Sequence, residues 1–343
     1  MLNVKRRHFV LAATGLGAAL AYAGWRNGAT GFVHGLTGQD PFVRTSHALG
    51  TKVSITVLES DQRRADVALD AAFRAIEEVE SNLSIYRADS QLSQLNKVGF
   101  VTQPHDDLVK VLNCACQTSQ QSQGAFDVTV QPLWDLFSWA QHSGRIPTTK
   151  EISQARRSVD WRRVQIARNE VRLLGDGTKV TLNGIAQGYA ADRALAALRS
   201  HGIGHALIDT GELAALGAKP QRSGWRVGVQ HPRESDAFVV LANLKDRCLS
   251  TSGDYATCFS ADRRFHHVFD PATGVSPGEL ASVSVAAPTA MQADAWSTAS
   301  LVLGMKRAAG MLQSLPDHDA CFVLKDGRML ATPGFPMEAE GAT

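Results

Sequence analysis

The chain has 343 residues, 44% of them hydrophobic and 20% charged, which is enough for one large globular domain or two smaller ones. A net charge of +2, with no basic run longer than three residues after the N-terminus, disfavours a nucleic-acid partner, because a phosphate backbone calls for a concentrated basic face. Five irregularly spaced cysteines do not make a disulfide scaffold, and Cys114 and Cys116 in "CAC" lack the spacing of a zinc or thioredoxin site, so most read as small buried hydrophobes.

The first segment, "VKRRHFVLAATGLGAALAYAGW", pairs Arg6 with Arg7 ahead of a short apolar stretch rich in Ala and Gly. It resembles a twin-arginine export signal and is too weakly apolar for a spanning helix of about 20 residues. "AYA" (Ala21 to Ala23) fits a cleavage site, and no cysteine precedes Cys114, which argues against a lipoprotein. Residues 1–35 are therefore expected to be a signal and spacer, leading to a periplasmic protein, with an uncleaved anchor as the alternative.

After the signal, "TKVSITVL" (51–58) alternates and is β-branched, which predicts a strand. From Asp61 to Leu83, apolar residues recur at Val67, Leu69, Phe73, Ile76, Val79 and Leu83, spacings that mark one helical face. "HDDLVKVLNCACQTSQQS" predicts a second helix, ended by Gly124. "VQIARNEVRLLGDGTKVTL" gives two short strands around Asn169 and a further turn at Gly175 and Gly177. "GIAQGYAADRALAALRSHG" predicts a helix closed by Gly202. Strand-like runs follow in "HALID", "ELAALG", "WRVGVQ", "FVVLANL", "RFHHVFD" and "ASVSVAAP", then a helix over 291–304 and a hairpin turning at Asp326-Gly327. Interleaved helices and hairpin-ordered strands predict an α+β fold with largely antiparallel sheet. No repeat or linker divides it, so residues 36–335 read as one domain.

The common nucleotide and hydrolase motifs, GxGxxG, GxxxxGK[ST], HExxH and GxSxG, are absent. What remains is five junctions rich in glycine, hydroxyls and carboxylates. In "LSIYRADSQLSQLN", Tyr86 is either a half-buried ring beside a capped turn or a stacking platform. "GAFDVTVQPLWDLF" offers a small-residue backbone for close approach, then Asp127 and Thr129 flanking a strand-like run. "TLNGIAQGYAADR" runs into a glycine turn at a helix start, where N–H groups attract anions or a free carbonyl faces a cation. "LSTSGDYATCF" and "RRFHHVFDPATG" bring hydroxyls together with His266, His267 and Asp270. In "MQADAWSTASLVLG", Asp294 and Thr298 share a helix face at i and i+4. They are a helix-start carboxylate with a neighbour, or two hard oxygen donors suited to Mg²⁺ and phosphate-ester chemistry.

In this order the five segments, with "STSGDY", "H-V-F-D-P-x-T-G" and "ADAWSTA" the most specific pieces, resemble the FAD:protein FMN transferases of the ApbE family, from residue 47 to residue 304. The resemblance implies a single T-fold-like α+β unit that binds FAD and Mg²⁺. It implies transfer of FMN to a threonine hydroxyl of an acceptor flavoprotein, as a phosphoester, with release of AMP. It also implies metal ligation by Asp294, Thr298 and the Gly184 carbonyl. FAD contacts would come from Leu49, Tyr86, Ala125, Phe126, Asp127, Thr181, Gln187 and Phe269, and His267 would lie near the reacting phosphate. Thr181 stands where many relatives carry an aspartate, and Gln187 where a charged residue is common. The export signal is similar to that of members associated with nitrous oxide respiration, which implies an exported or membrane-bound acceptor. On the residues alone two other readings stay open: an FAD pyrophosphatase yielding FMN and AMP, and a non-catalytic periplasmic flavin-binding or assembly protein.

Overall fold

The computed structural model describes residues 40–219, 224–234 and 236–338. The expected signal, residues 1–35, and residues 36–39 of the expected domain lie outside them. Among the described residues no helix is long and apolar enough to cross a membrane.

Strands β1 (Asp40–Ala48) and β2 (Thr51–Glu59) form a hairpin on the two-residue turn Leu49-Gly50. Helix α1 (Gln62–Leu83) follows, its N-terminus capped by the Asp61 carboxylate, which accepts from Arg63 N and Arg64 N. The expected apolar face is buried at Leu69, Ile76, Val79 and Leu83, with Phe73 packed at its edge, but Val67 is 48% exposed and the stripe is completed by Ala65, Ala68, Ala72 and Ala75. Alanines on that stripe let α1 approach its neighbours closely, which a search for large apolar side chains overlooks.

Helix α2 (Gln91–Val98), capped by Ser90, leads into β3 (Phe100–Thr102) and α3 (Asp106–Gln121). The strand-like run after Asp127 is instead one 3₁₀ turn, Val128–Val130, followed by α4 (Gln131–His142). Asp127 Oδ1 accepts from Thr129 N at 2.7 Å and Thr129 Oγ1 at 2.6 Å, and Pro132 presets the first helical turn. These local bonds override the β-branched pattern. Helix α5 (Thr149–Arg156) then precedes β4 (Val164–Ala167) and β5 (Glu170–Leu173), the hairpin expected around Asn169.

Helix α6 (Ala186–Ser200) ends at Gly202, φ 75°. Strands β6 (Ala206–Asp209), β7 (Leu213–Leu216), β8 (Trp225–Gln230) and β9 (Phe238–Leu244) match expected runs, and β10 (Cys248–Gly253) carries the serine-threonine cluster. The run 264–270 is not a strand. Phe265 and Phe269 turn inward onto Phe137 of α4, and the chain folds back through His267 N to Thr257 O (3.0 Å) and Gly274 N to Asp270 O (2.7 Å). Then come β11 (Leu280–Ala287), α7 (Ala290–Leu303), α8 (Met305–Leu312), β12 (Asp319–Leu324) and β13 (Met329–Ala331), the last two joined at Asp326-Gly327 as expected.

The main sheet has the order β1-β2-β6-β7-β10-β11-β12-β13, with β3-β5-β4 and β8-β9 as two smaller sheets. Every pairing among the described residues is antiparallel. Both faces of the main sheet are covered, so its central strands are apolar on both sides. Ile208, Ala214 and Leu216 face the helices α1, α6 and α7. Leu207, Leu213 and Ala215 face the β8-β9 ribbon through Trp225, Val227 and Leu244.

Helices α6 and α7 touch where Gly188 meets the start of α7: a Cβ on Gly188 would lie 2.2 Å from Ala290 O and 2.8 Å from Met291 N. Backbone cannot yield as a flexible side chain does. Gly188→Ala is therefore expected to destabilise the fold by about 3 kcal/mol, read as a lowered calorimetric midpoint; an unchanged midpoint would mean that the two helices do not meet here.

Candidate active site

One cavity opens where the β1-β2 turn, the loop after α1, the 125–131 segment, the leading turn of α6, β10 with the loop after it, and α7 converge. All twelve residues expected from the sequence line it: Leu49, Tyr86, Ala125, Phe126, Asp127, Thr181, Gly184, Gln187, His267, Phe269, Asp294 and Thr298.

Helix α7 is apolar nearly all round and therefore buried, and Asp294, 3% exposed, is its only carboxylate. Its Oδ2 accepts from Gly188 N at 3.1 Å. Thr298 Oγ1 lies one turn on and faces Gly184, where a Cβ would stand 3.0 Å from that hydroxyl. A hydroxyl cluster continues from it: Ser252 Oγ is 3.1 Å from Thr298 Oγ1 and 2.8 Å from Ser297 Oγ, which is 3.2 Å from Ser250 Oγ.

Carboxylates crowd this end of the cavity. Burial, reinforced by the charge of Asp192, lifts the Asp294 carboxyl above its usual range despite the Gly188 N–H. Glu212 is 6% exposed, and burial and then the Asp294 charge push its carboxyl well up. Its Oε2 has no hydrogen-bond partner. Burial also pushes Asp209, three residues before it, up to about 6. Taking charge out of water without a partner is costly, so such a cluster favours a cation.

The cavity's rim is aromatic. Tyr86 is 63% exposed and its hydroxyl accepts from Asn183 Nδ2 at 3.2 Å, the arrangement of a platform rather than of a core tyrosine. Phe126 and Phe269 are buried, and Phe269 packs on Phe137 with ring centroids 5.1 Å apart, so it supports the wall from the aromatic core. Leu49 reaches the cavity from a left-handed conformation, φ 55°, that a leucine rarely adopts.

Two expected residues are largely committed to structure. The Asp127 carboxylate holds Thr129, and its Oδ2 accepts from Trp161 N at 3.0 Å; burial raises its carboxyl to about 6. It meets the cavity through its segment rather than as a free charge. Thr181 donates its N–H to Val128 O (2.8 Å), and its hydroxyl accepts from Asn183 N (3.3 Å). Gln187, by contrast, keeps its amide beside Gly211, which has φ 94° and would bring a Cβ 3.4 Å from Gln187 Nε2.

The two histidines separate clearly. His266 is fully buried, with Nε2 3.2 Å from Pro277 O and Nδ1 accepting from Val268 N at 3.4 Å; both nitrogens are used. His267 lines the cavity, with Nδ1 3.3 Å from the Thr257 carbonyl. A carbonyl only accepts, so Nδ1 carries the proton and Nε2 keeps its lone pair. Burial holds the imidazole below its usual pKa.

Glu212, Asn183, Ser252 and Trp134 also line the cavity and were not among the expected ligands. The signal for Glu212 was available: a lone acidic residue after Gly211, directly before the four-residue apolar strand β7. Trp134 gave none, since its placement depends on an edge-on contact with Phe259 (5.4 Å), which follows it by more than a hundred positions.

The profile of the ApbE family matches residues 49–322. A Treponema pallidum protein named FAD:protein FMN transferase is 31% identical over 318 residues, 85% of this chain and 87% of its own length. A Salmonella typhimurium protein of the same name is 30% identical over 273 residues, 76% of this chain and 78% of its own. Among solved structures, the ApbE protein of Thermotoga maritima superposes with TM-score 0.78 at 28% identity, covering 87% of this chain and 100% of its own. The Pseudomonas stutzeri flavinyl transferase ApbE, apo form, gives 0.75 at 28% identity, covering 87% and 96%. With a profile match across most of its length, relatives at 30% identity or more and a shared architecture, the chain belongs to the ApbE family.

Proposed function

We propose that this protein transfers the FMN moiety of FAD to a threonine hydroxyl of an acceptor flavoprotein, with Mg²⁺ as cofactor. The observation that carries the reading is a buried carboxylate, Asp294, one helical turn from the half-buried Thr298, whose hydroxyl faces the Gly184 backbone, in a cavity with an exposed aromatic platform at its mouth. The names of the relatives supply the reaction class.

The residues present fit a hard divalent cation. Asp294, Thr298 Oγ1 and the Gly184 carbonyl are oxygen donors, and the Glu212 carboxyl, whose Oε2 has no hydrogen-bond partner, lines the same cavity. Bound there, Mg²⁺ supplies charge neutralisation for the pyrophosphate oxygens. The protein's own groups do the remainder. Tyr86 offers a ring face to the flat part of the substrate, and the 125–127 backbone and Gln187 border the same space. His267 Nε2 is the base positioned to take the acceptor hydroxyl's proton. The new bond joins that oxygen to the FMN phosphorus, the bridging P–O bond breaks, and AMP leaves with the electron pair. The twin-arginine pattern at Arg6 and Arg7 supports export, a periplasmic location, and an exported or membrane-bound acceptor.

Mixing protein, FAD, Mg²⁺ and a threonine-bearing acceptor domain is expected to leave flavin fluorescence on the acceptor in a denaturing gel. EDTA or Asp294→Ala should lower the rate about a thousandfold, the equivalent of several kcal/mol of charge stabilisation. Release of AMP from FAD as fast without acceptor as with it would replace transfer by hydrolysis.

The base role has its own signature. A neutral imidazole is required, so activity is present above the pKa of His267 and lost below it. Burial lowers that pKa, so the acid limb of kcat/KM should lie below the ordinary histidine value of about 6.5. His267→Gln should remove the limb and cost about 10² to 10⁴ in rate; a limb that persists in the variant assigns the proton to another group.

A further inference from the structure

Asp192 does not line the cavity of Asp294. It lies in a second cavity with Lys110, Arg199, Cys248 and Thr289, and its carboxylate is aimed at α7. Oδ1 accepts from Ala290 N at 2.8 Å and Oδ2 from Met291 N at 3.0 Å. These are the first two N–H groups of a 14-residue helix, donors that have no acceptor within their own helix. Thr289 Oγ1 takes the next, Gln292 N, at 3.2 Å.

Helix α6 shows the converse. Ile185 gives it no side-chain cap, and the Asp294 carboxylate of α7 accepts from Gly188 N in its first turn. Gly188 and Asp192 are one turn apart on α6, as are Ala290 and Asp294 on α7. Each helix therefore lends a carboxylate to the other's first turn. Three hydrogen bonds fix how far α7 slides and turns against α6, and the contact at Gly188 fixes how closely the two approach.

We infer that Asp192 is a positioning residue: by clamping the start of α7 to α6, it sets the register that brings Asp294 and Thr298 opposite Gly184. The inference rests on the cation site proposed above. Asp192→Asn keeps the shape but turns one of two acceptors into a donor facing an N–H group. Groups that orient a metal ligand without touching the metal typically control about 10- to 100-fold in metal affinity.

The test is Mn²⁺ binding to the purified protein, without FAD or acceptor, followed by the electron paramagnetic resonance signal of free Mn²⁺ and set beside thermal unfolding. D192N is expected to weaken Mn²⁺ about 10- to 100-fold. Thr289→Ala removes α7's own cap but spares the Asp192 bonds, so it should lower the melting temperature and leave Mn²⁺ affinity unchanged. Wild-type affinity in D192N, with binding lost in D294A, overturns the positioning role while the cation site stands. Equal losses in D192N and T289A also overturn it, because helix stability alone would then account for both. Wild-type protein that binds Mn²⁺ no better than D294A removes the cation site and this inference together. Should D192N not fold, Ala290→Pro removes the shorter of the two Asp192 bonds from the other side, leaving that of Met291 N. Proline is tolerated at the first helical position, and Thr289 already has the extended backbone (φ −127°, ψ 150°) that precedes proline. Undiminished Mn²⁺ affinity in that variant overturns the inference as well.

Discussion

The contact between α6 and α7 at Gly188 is the constraint on which the site depends. A glycine there lets one helix's backbone lie against the first turn of the next, and a single carboxylate, Asp294, accepts a hydrogen bond across the gap. The leading turn of α6 carries Gly184 and Gln187, and α7 carries Asp294 and Thr298. Behind α7 lie β10 and β11 of a sheet buried on both faces, which gives the helix a rigid floor and places Ser250 and Ser252 beside Ser297 and Thr298. The cavity is thus built between elements that packing holds, not on loops alone.

Charge is the second organising feature. Asp209, Glu212 and Asp294 are all held above their usual carboxyl range, chiefly by burial. Hydrophobic packing would be better served by apolar residues of similar volume, since unpaired buried charge opposes folding. Glu212 and Asp294 line the cavity, and the charge of Asp209 acts on Glu212; such a cluster is the pattern of a functional site, where the cost to folding is offset by what the charge does.

Much of the fold was legible in the sequence because its strands are short, alternating and bounded by glycine turns, as at Asn169 and Asp326-Gly327. The failures have physical causes. Residues 264–270 alternate well enough for a strand, but an aromatic core around Phe137 pulls Phe265 and Phe269 to one side. After Asp127, side-chain bonds to Thr129 impose a turn on a β-branched run. On α1, alanines complete the buried face and Val67 lies outside it. The residues that line the cavity were legible by ordered short motifs rather than by periodicity, and the shared face of Asp294 and Thr298 by helical spacing. Glu212 was passed over because a lone acidic residue in a glycine turn looks like an ordinary solvated one. The one hint of its burial is the wholly apolar strand β7 that begins directly after it.

Tyr86 shows how binding at this cavity should look calorimetrically. Its ring stands in water, 63% exposed, with its hydroxyl bonded to Asn183. A flat ligand laid on that ring removes apolar surface from solvent on both partners at once. Association should therefore carry a negative heat-capacity change, so that its enthalpy grows more favourable with rising temperature. A wholly polar ligand seated deeper, among the buried carboxylates and hydroxyls, would leave that quantity nearly flat.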